Sequence, residues 1–77
     1  MFKKIRDIIA EQLYIQEDDI HLNSHLEEDL MADSLDIVEL SMSLEDYYCI
    51  EFINEEWEYW KYVSDIVESI KKYIKEE

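Results

Sequence analysis

The sequence contains no glycine and no proline, which removes the strongest loop punctuation and leaves apolar periodicity as the main guide to its elements. Its single cysteine, Cys49, cannot form an internal disulfide, so the small core has no covalent staple and a reducing setting, the cytoplasm, is expected. Basic residues are scarce: 7 Lys and Arg stand against 21 Asp and Glu, a formal charge of −14. Charge of that sign repels the phosphates of nucleic acid and anionic membranes and favours proteins that carry Lys and Arg patches. Long apolar runs are absent too. Acids at Asp7 and Glu11 interrupt the stretch after Met1-Phe2-Lys3-Lys4, so neither a signal peptide nor a membrane span can be drawn. A domain of 77 residues buries only about 60% of its unfolded surface, which leaves no room for a deep substrate cleft beside a core. An autonomous enzyme is not expected.

What is present argues for folding. Hydrophobic residues make up 48% of the chain, with six Tyr, two Trp and two Phe, too many for a disordered acidic tail. No repeat, low-complexity tract or shift in composition marks a boundary, so residues 1–77 read as one domain, and a monomer is expected. Phe2, Ile5, Ile9 and Leu13 recur at steps of three and four, which predicts a first helix. From Gln16 to Asp29 the apolar residues recur too irregularly for a helix and too often for a free linker, which predicts a long loop pinned to the core by Ile15, Ile20, Leu22, Leu26 and Leu30. A second helix opens at Asp33-Ser34, whose side-chain oxygens suit the unpaired amides of a first turn, and Asp36 adds favourable charge there. Its stripe of Ile37, Leu40, Leu44 and Tyr48 faces the core. Asn54-Glu55-Glu56 reads as an N-cap leading into a short third helix around Trp57 and Trp60. Val63, Ile66, Val67, Ile70 and Ile74 form a last helical stripe, closed by Lys71, Lys72 and Lys75 near its negative end. The expected fold is all-α, a four-helix bundle with three long helices, one short helix and a long first loop.

The second helix holds more apolar residues than its core stripe needs. At 100° per residue, Leu35, Val38 and Met42 fall on a second stripe, bordered by Glu39, Glu45 and Asp46. A helix buried on two sides would read this way, and so would an exposed docking ridge on which Met adapts to different partners and acids steer a basic patch. Ser34 is the second candidate. A serine at a helix start is ordinarily a cap. A hydrolytic role would need a base and an oxyanion site, yet there is no Gly-x-Ser-x-Gly elbow, and only His21 and His25 are available as histidine bases. The same position suits a covalently attached phosphodiester, because the positive end of the helix favours an anion, while Glu28, Asp29, Asp33 and Asp36 oppose it. That tension points to attachment by an enzyme.

The run Glu28-Asp29-Leu30-Met31-Ala32-Asp33-Ser34-Leu35-Asp36 resembles the prosthetic-group motif of acyl carrier proteins, with Asp33-Ser34-Leu35 as its centre. The similarity extends from Glu11-Gln12-Leu13 through Val38-Glu39-Leu40 to Asn54-Glu55-Glu56 and Val63, nearly the whole chain. It implies a carrier, not an enzyme, whose Ser34 receives 4′-phosphopantetheine from coenzyme A through a phosphopantetheinyl transferase and holds acyl groups as thioesters, in fatty acid or related lipid or polyketide synthesis. By the same matching, Asp33, Leu35, Asp36, Val38, Glu39, Met42, Glu45 and Asp46 fall where family members meet partners: acyl-transferring, condensing and modifying enzymes with basic docking patches. Leu40, Leu44 and Ile50, with Trp57 and Trp60, would line a shelter for the acyl chain. Glu28, Asp33 and Asp36 match positions where some members bind divalent cations loosely, as do Glu45 and Glu51, with Cys49 in place of an acid.

Two departures stand out: Met31 and Tyr14 occupy positions where the family usually has glycine, so both loops are expected to be stiffer or differently shaped. Ile53 stands where Pro is frequent, and Trp57 and Trp60 are bulky for their positions, which predicts an unusual cargo preference. His21 and His25 lie four apart but in a loop with no third ligand, and solvated or capping roles are expected. Cys49 is expected to be an inert packing residue. The competing class is an acidic helical interaction or cation-buffering module in which Ser34 is only a cap.

Overall fold

The computed structural model describes residues 1–74 and contains three α-helices among them: α1 (Phe2–Leu13), α2 (Ser34–Tyr48) and α3 (Val63–Tyr73). Short 3₁₀ turns at Glu17–Asp19 and Glu56–Tyr59 interrupt the two connections. The apolar stripes account for the packing. Ile5 and Ile9 of α1, Leu40 and Leu44 of α2, and Val63, Ile66 and Ile70 of α3 are all at most 1% exposed and meet in one core. Fully burying each such side chain contributes about 1.5–3 kcal/mol, so this cluster does the work that a disulfide does in other small domains.

Among the described residues the bundle has three α-helices rather than four. The segment read as a short third helix is a single 3₁₀ turn, and the reason lies in the residues before it. Asn54 and Glu55 take left-handed φ values of 56° and 50°, whereas a residue capping an α-helix needs extended backbone, so Asn54 caps nothing. At the other end Trp60 is already extended, at φ −73° and ψ 122°. Trp57 sits in the turn and Trp60 just beyond it. Lys75 lies outside the described residues; Lys71 and Lys72 occupy the last turn of α3 as expected.

The long first loop is pinned as predicted by Ile20, Leu26 and Leu30, all buried, while Leu22 is exposed instead. Backbone bonds hold it as well. His25 and Tyr62 form an isolated antiparallel bridge, Leu26 N–H donates to Lys61 O at 2.8 Å, and Val63 N–H donates to Ser24 O at 3.1 Å. The loop is thereby sewn to the entry of α3, and it delivers Asp33 to the start of α2.

Candidate functional site

The site is built at the N-terminus of α2. Asp33 has extended backbone, and its Oδ1 accepts from the amide of Asp36 at 2.9 Å while Asp36 Oδ2 accepts from the amide of Asp33 at 3.1 Å. This reciprocal capping box satisfies the first turn without help from the serine. Ser34 is the first residue of the 15-residue helix, exposed, and its hydroxyl makes no hydrogen bond among the described residues. Capping therefore does not explain Ser34. A phosphodiester fits this oxygen: it is accessible, uncommitted, and stands at the positive end of about four aligned turns. The nearby acids are partly occupied, since the Asp33 and Asp36 carboxylates each accept an amide.

A hydrolytic reading fails here on geometry. His25 Nδ1 accepts the amides of Glu27 and Glu28 at 3.2 and 3.1 Å, so its imidazole is committed to folding the loop, and no base bonds the Ser34 hydroxyl among the described residues.

Around α2 the second apolar stripe is exposed, not buried against a neighbour. Leu35 is 64% and Met42 61% exposed, with Val38 half-buried beside them. Of the bordering acids, Asp46 faces solvent freely and Glu39 Oε1 accepts from Gln12 Nε2 at 3.2 Å. Glu45 and Asp36 have structural duties: Glu45 Oε2 accepts from the amide of Phe52 at 2.8 Å, tying down the chain after α2.

Beside Ser34 lies a cleft of about 360 Å³, walled by Ile37, Trp57, Trp60, Glu27 and Glu58. Trp60 is held rigidly, because its indole N–H donates to Ser69 Oγ at 2.8 Å and Phe52 packs edge-on against its ring at 5.2 Å. Of the residues expected around a chain shelter, the two tryptophans reach this cleft. Leu40 and Leu44 instead sit deep in the core, with Ile50 packed on it. Ile37, Glu27 and Glu58 were missed: the periodicity of α2 assigns Ile37 to the core, and nothing periodic in the loop signals that the His25–Tyr62 bridge carries Glu27 towards Ser34.

No three His, Cys, Asp or Glu side chains among the described residues are arranged to hold a metal ion. Glu28 is exposed, one oxygen of each of the Asp33 and Asp36 carboxylates accepts an amide, and Glu45 Oε2 is bonded to the Phe52 amide. Cys49 is also not the packed residue that was expected. It is exposed, in left-handed conformation at the C-cap of α2.

Residues 3–52, which include Ser34, match the family described as "Phosphopantetheine attachment site". A protein of Clostridium acetobutylicum named "Acyl carrier protein" is 47% identical over 76 residues, 99% of each chain. Proteins of the same name from Clostridium perfringens (47% over 73 residues, 95% of this chain and 96% of the relative) and Buchnera aphidicola subsp. Baizongia pistaciae (51% over 72 residues, 94% and 92%) are similarly related.

Proposed function

The chain belongs to the acyl carrier protein family, and from that premise we propose that Ser34 is the residue that bears its 4′-phosphopantetheine. The carrier role, in fatty acid biosynthesis, and the prosthetic group follow from the family. Once attached, the group supplies a thiol on which acyl chains ride as thioesters. Ser34 is supported by one observation above the others: Asp33 and Asp36 cap the helix between themselves, which leaves the exposed serine hydroxyl with no structural task.

The rest of the mechanism is delivery. Residues 1–77 act as one domain and as a monomer, and the partners, not the carrier, do the catalysis. A phosphopantetheinyl transferase loads Ser34; acyl-transferring, condensing and modifying enzymes then meet the ridge of Leu35, Val38 and Met42. Asp36, Glu39, Glu45 and Asp46 give that ridge an acidic border, which speeds encounter with basic patches while keeping release easy. Tethering raises the effective concentration of cargo at each active site. No helix among the described residues is long and apolar enough to cross a membrane. The cleft between Ser34 and the two tryptophans receives the near end of the cargo, and the pinned indole of Trp60 limits how far a chain enters.

Incubation with coenzyme A and a broad-specificity transferase tests the attachment. Intact mass is expected to rise by one phosphopantetheine for the native chain and not at all for Ser34→Ala. Equal modification of the two proteins would remove Ser34 from this role.

A further inference from the structure

Away from the ridge, α1 and α2 enclose a groove of about 560 Å³ whose walls include Ile8, Glu11, Tyr14, Asp46 and Tyr47. A second hollow along α1 shares Ile8, Glu11 and Tyr47 with it and adds Asp7 and Glu17, so the two form one continuous depression. Tyr47 follows Met42 by five residues, about 140° around the helix, so this depression and the ridge face different directions, with Asp46 on the edge between them.

Three observations mark the groove as more than a gap between helices. Tyr14 stands in left-handed backbone, φ 60° and ψ 43°, a conformation that strains a bulky residue and that glycine takes freely. The ring gains nothing from the fold in return, being 93% exposed. Left-handed backbone is ordinary at a helix C-cap, and Tyr14 is the C-cap of α1, so the large exposed ring rather than the backbone angle sets this position apart. Next, the 53% exposed Tyr47 already receives a cation: Lys4 Nζ lies 5.2 Å from its ring centroid. Finally, both rings share the groove with Glu11 and Asp46, while the adjoining hollow brings Asp7 and the Arg6-paired Glu17 (3.7 Å) to the side of Tyr47, with Lys4 the one basic residue lining either hollow.

The geometry points to this groove as a second docking surface, taking an arginine-bearing amphipathic helix of a partner protein between Tyr14 and Tyr47. Arginine fits better than lysine because its planar guanidinium stacks on aromatic faces while bonding carboxylates at its edge. Leucine-like residues one turn away on the same helix would cover Ile8. A second copy of the chain is disfavoured as the occupant, since each copy carries a formal charge of −14. The inference stands apart from the role of Ser34 and survives its loss.

The test uses the full ¹⁵N-labelled chain without its prosthetic group, at 150 mM salt. The probe is a synthetic 16-residue peptide with Arg and Leu at i, i+3, i+4 and i+7, and a shuffled peptide of equal composition is the control. The expected amide shifts centre on Ile8, Gln12, Ser43 and Tyr47. Tyr47→Leu, which keeps bulk and removes the aromatic face, should weaken binding at least fivefold. Tyr14→Gly should weaken it comparably while raising the Tm of the free protein by about 4–8 °C, because glycine takes the left-handed angle without strain. A merely structural Tyr14 would not lower affinity as stability rose. Tyr59→Leu, at an exposed tyrosine outside both surfaces, should leave affinity unchanged. Absence of binding, equal binding of the shuffled peptide, shifts centred on Leu35 and Met42, unchanged affinity in either tyrosine variant, or self-association through the groove would each overturn the proposal.

Discussion

Residue by residue, the absence of glycine has a cost that the backbone makes visible. Tyr14, Met31, Cys49, Asn54 and Glu55 all take φ between 50° and 62°. Asn tolerates that region; the others are strained by about 1 kcal/mol or more each. Met31 and Tyr14, expected to reshape their loops, instead adopt the left-handed backbone that glycine favours. Met31→Gly should therefore stabilise the protein by about 1 kcal/mol, read as a higher urea midpoint at unchanged slope. Ser34 and Asp33 divide their labour in a way that a paired measurement detects. Asp33→Ala should cost about 1 kcal/mol of stability through loss of the cap, whereas Ser34→Ala should stay within about 0.5 kcal/mol of native. Comparable losses in the two variants would return Ser34 to a structural role. The sequence made the helix start at Asp33-Ser34 legible, but not which of the two oxygens caps it, because aspartate and serine are equally good caps and backbone geometry decides.

At the scale of elements, the stripes of α1, α2 and α3 were readable because each repeats at helical spacing over at least three turns. The stretch from Asn54 to Trp60 was not. Its capping signal is contradicted by two successive left-handed residues, and its position is set by tertiary bonds that no local pattern announces. Glu56 is the fastening: its Oε1 accepts from Tyr73 Oη at 2.5 Å and its Oε2 lies 3.2 Å from Lys72 Nζ. Burial alone would push its carboxyl up, but hydrogen bonds from Tyr73, Ser69 and Lys72 together outweigh that and hold it below its ordinary value. The same contact, after burial, pushes the Tyr73 phenol up. A carboxylate with a depressed folded pKa stabilises fully above its unfolded value, about 4.3, and loses that contribution as pH falls through the folded value. Glu56→Gln should lower stability by about 1–2 kcal/mol at pH 7 and flatten the decline below about pH 4.3, measured by urea unfolding at stepped pH. Glu17 contributes with opposite sign: its hydrogen bond with Asp7, then burial and the Asp7 charge, raise its pKa, so its term weakens the fold as pH rises through the carboxylate range. An acid limb unchanged in Glu56→Gln would assign the dependence elsewhere. The same turn bears on cargo. Trp60→Leu should open the cleft, so that hydroxylamine cleaves a long-chain thioester on the variant several-fold more slowly than on the native protein, with short-chain thioesters unaffected. Equal protection of long chains in the two proteins would free Trp60 from any part in cargo selection.

Across the whole molecule, the net charge of −14 works against compaction and for partnership. Salt should raise the Tm by screening this self-repulsion and should weaken encounter with basic partners. A Tm indifferent to ionic strength would mean that the acids are already neutralised pairwise, contrary to the two ion pairs among the described residues. The carrier assignment was legible in the run from Glu28 to Asp36 and in the acidic ridge behind it. The cleft was not, because it forms where a loop, a turn and a helix start converge from distant parts of the chain. The most direct measurement of the central claim is localisation of the prosthetic group: after loading from coenzyme A, fragmentation of the peptide spanning Met31 to Glu45 should put the phosphopantetheine on Ser34. Its appearance on Ser41 or Ser43, or an unmodified peptide after complete loading, would contradict the account.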